Sequence, residues 1–403
     1  MEEIYGNWKV QDGIVLMQTR EKSATRAIVP AGQQGLAVRS AALVARGLRD
    51  LTRDSNWVVK KVFAGHTSSL AISGMGHVCF VSRQFQRGGQ YRTGDFGQRV
   101  VLYDMEMSIP MIALSVPNEV PVGTQDLTAA FAWSPTARFL VAAWGGWQPA
   151  LHSFDLHGKM LLGTFGEFGT IPRCLAWSGA EKYFVEACSG GKQASLRLWR
   201  VRDDGMSPKG PLSGQPTSEL GVPGWLERQT YESEFGEEGA FGGYGRAVFS
   251  PDEKTLASVI EIHGDWADDS IALLAVPTLK KQNAFQAQGH ITDLSWTNDG
   301  RKIIYCAAGQ AYCLSVETMN FEPLPFGAEL CVCHPHLPLC ICYSSWLKNS
   351  AKGRLFLVDL NRMEVFDEYA AEGVVILSWN GDGSKAYAAT QSGMAYIYEP
   401  TLL

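Results

Sequence analysis

The chain lacks any apolar run approaching the roughly 18 residues that a membrane-crossing helix needs. Its first residues, Met1-Glu2-Glu3-Ile4-Tyr5, are acidic where a secretory leader would be basic and then apolar. No Cys-x-x-Cys pair occurs among the nine cysteines, which excludes haem attachment and the commonest zinc and redox pairs. Also missing are a Gly-x-Ser-x-Gly elbow, a His-Glu-x-x-His helix and a Gly-x-x-x-x-Gly-Lys-Ser/Thr phosphate loop. Positive charge is not in excess: the net charge of −6 argues against general nucleic-acid binding. From Trp57 onward there is no helical periodicity. The expectation is a cytoplasmic chain with reduced thiols, no membrane association, no cofactor and no metal.

What the chain has in quantity is one short phrase, an apolar strand ending in an anchor, a small polar turn, and a second apolar strand. It runs Phe131 to Pro135, Leu175 to Gly179, Ala247 to Pro251, Leu294 to Asn298 and Leu377 to Gly381, with weaker copies at Leu70 to Gly74 and Cys331 to Pro335. The anchors fall at Ile72, Trp133, Trp177, Phe249, Trp296, Cys333 and Trp379. Three of the six spacings are in the forties, and a period of that length with variable insertions marks a β-propeller in which each repeat is one four-stranded blade. Second strands are expected from Arg138, Tyr183, Thr255, Lys302, Pro338 and Lys385, and third strands from Ser195, Ile271, Gln310, Arg354 and Met394. The fold class is therefore all-β, a seven-bladed propeller of antiparallel blades over 57–403.

The last repeat stops after its third strand, and residues 57–64 lie where an outer strand would precede the first repeat. That segment is expected to pair with the last blade and cover its open edge. Residues 1–56 form an extension. Trp8 to Met17 reads as a hairpin about Gln11-Asp12-Gly13. Over 33–52, Ala37, Ala41, Val44, Leu48 and Leu51 recur at helical spacing with Arg39, Arg46 and Arg49 among the polar positions. This amphipathic helix suits a cap on the propeller rim, self-association or docking on a partner.

Two repeats open with a Gly-His pair, Gly65-His66 and Gly289-His290, followed downstream by Tyr103-Asp104 and Val316-Glu317. This pattern resembles the WD-repeat family over about six sevenths of the chain, although no literal Trp-Asp closes a repeat; Phe154-Asp155, Trp199-Arg200 and Val358-Asp359 stand in that slot. The resemblance implies a non-catalytic scaffold or adaptor with protein or peptide partners on the face bearing the strand-connecting loops.

Those loops, between second and third strands, carry the candidate contact residues. The first holds Arg83, Phe85, Arg87, Tyr91, Arg92 and Phe96, with a net charge of +3 over 83–99; others carry Trp144, Trp147, Trp266 and Trp346. Trp, Tyr and Arg dominate binding hot spots, and the alternative is that each aromatic caps its own blade. An acidic Gly-rich and Pro-rich insertion, 202–246, must contain the outer strand of the third blade, near Thr217 to Val222 or Leu226 to Tyr231, and its end at Gly236 to Gly245 reads as mobile. A competing reading uses the central channel for a small ligand or for catalysis, with Asp126, Arg173, Arg246 and Asp293 at its entrance. The cluster Cys331, Cys333, His334, His336, Cys340 and Cys342 has zinc-type chemistry, but its cysteines align with apolar core positions of the other repeats. His334 and His336 are assigned to an ordinary turn, and Asp265, Asp268 and Asp269 to a solvated hairpin tip.

Overall fold

The computed structural model describes residues 8–11, 14–17, 57–63, 70–82, 99–115, 130–144, 150–156, 160–165, 171–189, 195–201, 226–231, 241–263, 268–345 and 353–399. They form a seven-bladed β-propeller with four antiparallel strands per blade. The inner strands are Leu70–Ile72, Ala130–Trp133, Ile171–Trp177, Phe241–Phe249, Ile291–Trp296, Leu330–Cys333 and Val374–Trp379. Blade seven takes its outer strand from the other end of the chain: Trp57–Lys61 pairs with Met394–Tyr398 in the register Trp57 to Tyr398. This joins the two ends of the ring and covers an edge.

Each of the seven seams between blades holds an apolar cluster. Between blades four and five, Ala257, Val259, Ile271 and Leu273 meet Trp296, Ile303, Tyr305 and Leu314. Between blades five and six, Ile304, Cys306 and Cys313 meet Cys331, Cys333, Cys340 and Cys342. All four last-named cysteines are buried, so they fill core positions as the alignment of repeats implies.

The anchor tryptophans bridge blades as well as filling them. The indole N–H of Trp133 donates to Ala71 O, Trp177 to Ala132 O, Trp296 to Val248 O and Trp379 to Val332 O, at 3.1 to 3.4 Å. Each acceptor sits one residue before the preceding blade's own anchor. A buried indole thereby satisfies its one donor while its ring packs the seam.

The residue after each anchor holds the turn. Ser73, Ser134, Ser178, Ser250, Thr297 and Asn380 each accept, through the side-chain oxygen, the backbone N–H four or five residues on, at 2.8 to 3.1 Å. In blade six His334 does the same work with Nδ1, accepting from His336 N and Leu337 N. Short polar side chains favour such local bonds. Four residues past the anchor the backbone turns left-handed at Gly76, Ala137, Glu181, Glu253, Gly300 and Gly383. For Glu181 and Glu253 that strain has a purpose, because their carboxylates accept N–H bonds from Thr136 and Ala180 in the preceding blade's turn.

Of the two candidates for the outer strand of blade three, Leu226–Tyr231, the more polar, takes the place, paired with Ser195–Val201. Two features go beyond the sequence expectation. Residues 241–245, expected to be mobile, begin the inner strand Phe241–Phe249; Tyr244 is buried there, and Gly243 pairs with Ser189, which joins blades three and four into one ladder. The N-terminal hairpin, Trp8–Gln11 with Ile14–Met17, adds to the outer strand of blade one, pairing Ile14 with Leu114 and Val15 with Ala113. The segment 33–52 lies outside the described residues.

Candidate binding face and channel mouth

In every blade the first-to-second and third-to-fourth turns fall at one face, and the second-to-third connections emerge at the other. On the second face, blades five and seven close tightly, at Ala308-Gly309 and Gln391-Ser392-Gly393, where Gly309 and Gly393 have positive φ. Blades one, two, three, four and six instead carry the connections 83–98, 145–149, 190–194, 264–269 and 345–353 between their strands. The strands that bracket them bring these connections to one face. Arg83, Phe85, Arg87, Tyr91, Arg92, Phe96, Trp147, Trp266 and Trp346 lie outside the described residues; Trp144 closes the strand Phe139–Trp144.

At the channel mouth the inner strands carry β-bulges, which re-aim side chains. Register shifts fall at Pro172/Cys174, Tyr244/Ala247 and Ile291/Asp293, which sets Arg173, Arg246 and Thr292 apart from regular pairing. Arg173 and Arg246 are both exposed. Arg246 Nε lies 3.4 Å from Asp293 Oδ1, and Asp293 Oδ2 accepts Cys331 N at 3.1 Å, so one carboxylate ties blades four, five and six together. Burial raises the Asp293 carboxyl above its ordinary range, and the facing guanidinium only partly offsets it. Thr292 Oγ1 donates to Glu329 O, extending the same belt. Of the four entrance residues, the structure pairs Arg246 with Asp293 and places Arg173 on the adjacent inner strand; Asp126 lies outside the described residues. With each other as partners, Arg246 and Asp293 present little net charge to a ligand.

The Gly-His pair has a role that local pattern did not reveal. Asp269 is buried, its Oδ2 accepting Ile291 N at 2.7 Å and lying 2.8 Å from His290 Nδ1, while Asp268 Oδ1 accepts Gly289 N. Asp268 and Asp269, expected in a solvated tip, therefore form a latch that fixes the entry of blade five, while Asp265 lies outside the described residues. His334 also exceeds an ordinary turn residue. It is buried against Trp379, its Nε2–H donates to Gly383 O in blade seven, and desolvation lowers its pKa to about 4. The cysteines of the blade five to six seam are inert in this setting: burial raises Cys306, Cys333 and Cys340 well above the usual thiol range. Among the described residues no group of three or more His, Cys, Asp or Glu is arranged to hold a metal ion.

No family model matches the chain, and no curated protein does. Among solved structures it is similar to the β-propeller domain of Cps50 (Swd1) from Myceliophteria thermophila, with 12% identity, a TM-score of 0.55, and coverage of 85% of this chain and 100% of that one. At that identity the likeness concerns the fold: the chain is a seven-bladed β-propeller.

Proposed function

We propose that the chain is a non-catalytic protein-binding scaffold of the WD-repeat kind, taking a protein or peptide partner on its loop-bearing face. The observation that carries this reading is the contrast between the faces. On one, seven turns repeat a single side-chain device; on the other, five connections differ in length and sequence, four of them carrying aromatics and the one at 83–98 carrying arginines as well. Nine free cysteines support a reducing compartment such as the cytoplasm.

The test is hydrogen exchange on the full chain bound to a partner recovered by capture. Protection is expected in 83–98, 145–149 and 345–353. Protection confined to the opposite turns would place the interface elsewhere. The channel reading has its own support in Arg173 and Arg246, both exposed at bulges. It would replace the scaffold reading if Arg173→Ala and Arg246→Ala abolished binding while the loops stayed unprotected.

A further inference from the structure

In blade seven the residue after the anchor is Asn380, and the residue after that is Gly381, the chain's only asparagine followed by glycine. A glycine there offers its N–H to the preceding side chain with no Cβ in the way. Nothing in the fold requires it. Gly381 has no positive φ, and a Cβ at that position would meet no atom within 4 Å; the left-handed residue of the turn is Gly383. Asn380 is half-buried and Gly381 exposed.

Hydrogen bonds hold the two reactive groups of this dipeptide apart. Asn380 Oδ1 accepts Lys385 N at 2.8 Å, and Nδ2 donates to Ser384 Oγ at 2.9 Å, so the carboxamide lies along its own turn. Gly381 N donates to Gly74 O of blade one at 3.2 Å. From blade six, His336 Nε2–H donates to Gly381 O at 3.1 Å and His334 Nε2–H to Gly383 O at 3.0 Å. The turn is thus clamped by both neighbouring blades, in the blade that closes the ring.

We propose that Asn380 is a site of spontaneous modification, converted to aspartate and isoaspartate when its turn lets go of the neighbouring blades. Gly381 N attacks Asn380 Cγ. The N–Cγ bond forms, the Cγ–Nδ2 bond breaks with its electron pair going to nitrogen, and the proton lost by Gly381 N leaves with Nδ2 as ammonia. Water then opens the succinimide at either carbonyl, giving aspartate or isoaspartate with no change of oxidation state. The succinimide nitrogen carries no hydrogen, so cyclisation and the bond to Gly74 O exclude one another. Isoaspartate adds one carbon to the backbone between 380 and 381, which shifts Gly381 relative to Gly74 and His336 and loosens the clamp. The modification therefore records local opening of the turn. This inference is independent of what the loop-bearing face binds.

Peptide mapping by mass spectrometry that resolves isoaspartate tests it, on the full chain incubated folded and in urea at one mildly alkaline pH. Conversion at position 380 should be measurable in the folded chain and at least about tenfold slower there than in urea, the effect of protecting hydrogen bonds that must first open. His336→Ala, at an exposed residue, should speed conversion in the folded chain by about two- to tenfold, the worth of one hydrogen bond, and leave the rate in urea unchanged. Gly381→Ala, for which the turn has room, should slow conversion in both states. A folded chain that never converts, one that converts within tenfold of the rate in urea, a rate indifferent to His336→Ala, or one indifferent to Gly381→Ala would each overturn the assignment.

Discussion

The two faces of the ring are built on opposite economies. On the turn-bearing face each repeat closes on itself through the residue after its anchor, and neighbouring turns are laced together. Thr136 donates to Glu181, Ala180 to Glu253, Asn298 to His336 O, and Gly381 N to Gly74 O, while His334 and His336 reach Gly383 O and Gly381 O. Only the seams between blades one and two and between blades four and five are without such a bond among the described residues, and the latter opens a shallow cleft lined by Ser250, Asp252, Trp296 and Asp299. The connections of the loop-bearing face differ from blade to blade in length and in sequence. A ring stiffened at one face can vary the other freely, which is the division of labour expected when scaffold and recognition occupy different surfaces.

The largest effect expected lies in the seam that underpins the turns. Trp296→Ala removes a buried ring and the donor to Val248 O, and should cost about 3 to 5 kcal/mol in chemical unfolding. Trp296→Phe, which keeps most of the ring and loses only the N–H, should cost much less. Equal costs would mean that the inter-blade bond, rather than packing, holds the seam.

Acid should act next, through His334. Its folded pKa of about 4 lies below the ordinary value of 6.5, so the unfolded chain binds more protons between those limits. Stability contributed by the neutral ring is complete above about pH 6.5 and is lost as the pH falls toward 4, by up to about 3 kcal/mol. The protonated ring can no longer accept the N–H groups of His336 and Leu337 through Nδ1. His334→Ser, which places in blade six the residue used by four other blades, should flatten this part of the profile in urea titrations at several pH values. An unchanged slope would assign the acid sensitivity to other groups.

A smaller effect belongs to the ring closure. Lys385 Nζ and the Tyr387 hydroxyl both donate to Glu106 Oε1, at 2.8 and 3.0 Å. Burial by itself would raise the Glu106 carboxyl; the bonds from Lys385 and Tyr387, with the charges of Lys385 and Lys60, outweigh it and hold the pKa below its ordinary value. Because both charged side chains are partly exposed, Glu106→Gln should cost only about 1 kcal/mol, less in high salt. The smallest stability effect is expected on the other face: Trp147→Ala and Trp346→Ala should each change unfolding by less than about 0.5 kcal/mol. A cost near that of Trp296→Ala would make those aromatics caps of their blades and erase the contrast between faces.

How much of this was legible in sequence follows the range of the interactions. The anchor and the polar residue after it lie within a few positions of one another, so seven copies could be counted and the ring inferred. The partners of the anchors could not, because Trp296 reaches Val248 and Asp269 reaches Ile291 across blade boundaries that no local pattern marks. Leu226–Tyr231 was harder to place because its residues, Leu-Glu-Arg-Gln-Thr-Tyr, are mostly polar, as an outer strand allows. Gly242, Gly243 and Gly245 disguised the start of an inner strand as a loop. The channel residues were found by their place before the anchors, but the pairing of Arg246 with Asp293 depends on bulges that spacing does not show.

The most direct measurement is the affinity of one purified partner for three full-length chains in parallel: the native protein, Trp147→Ala with Trp346→Ala, and the turn-face variant Glu181→Gln. The loop-face pair should raise Kd by about tenfold or more with unfolding unchanged, whereas Glu181→Gln should weaken the fold modestly and leave Kd unaltered. A Kd insensitive to the two tryptophans and raised by Glu181→Gln would contradict the account, because recognition would then belong to the face built for stability.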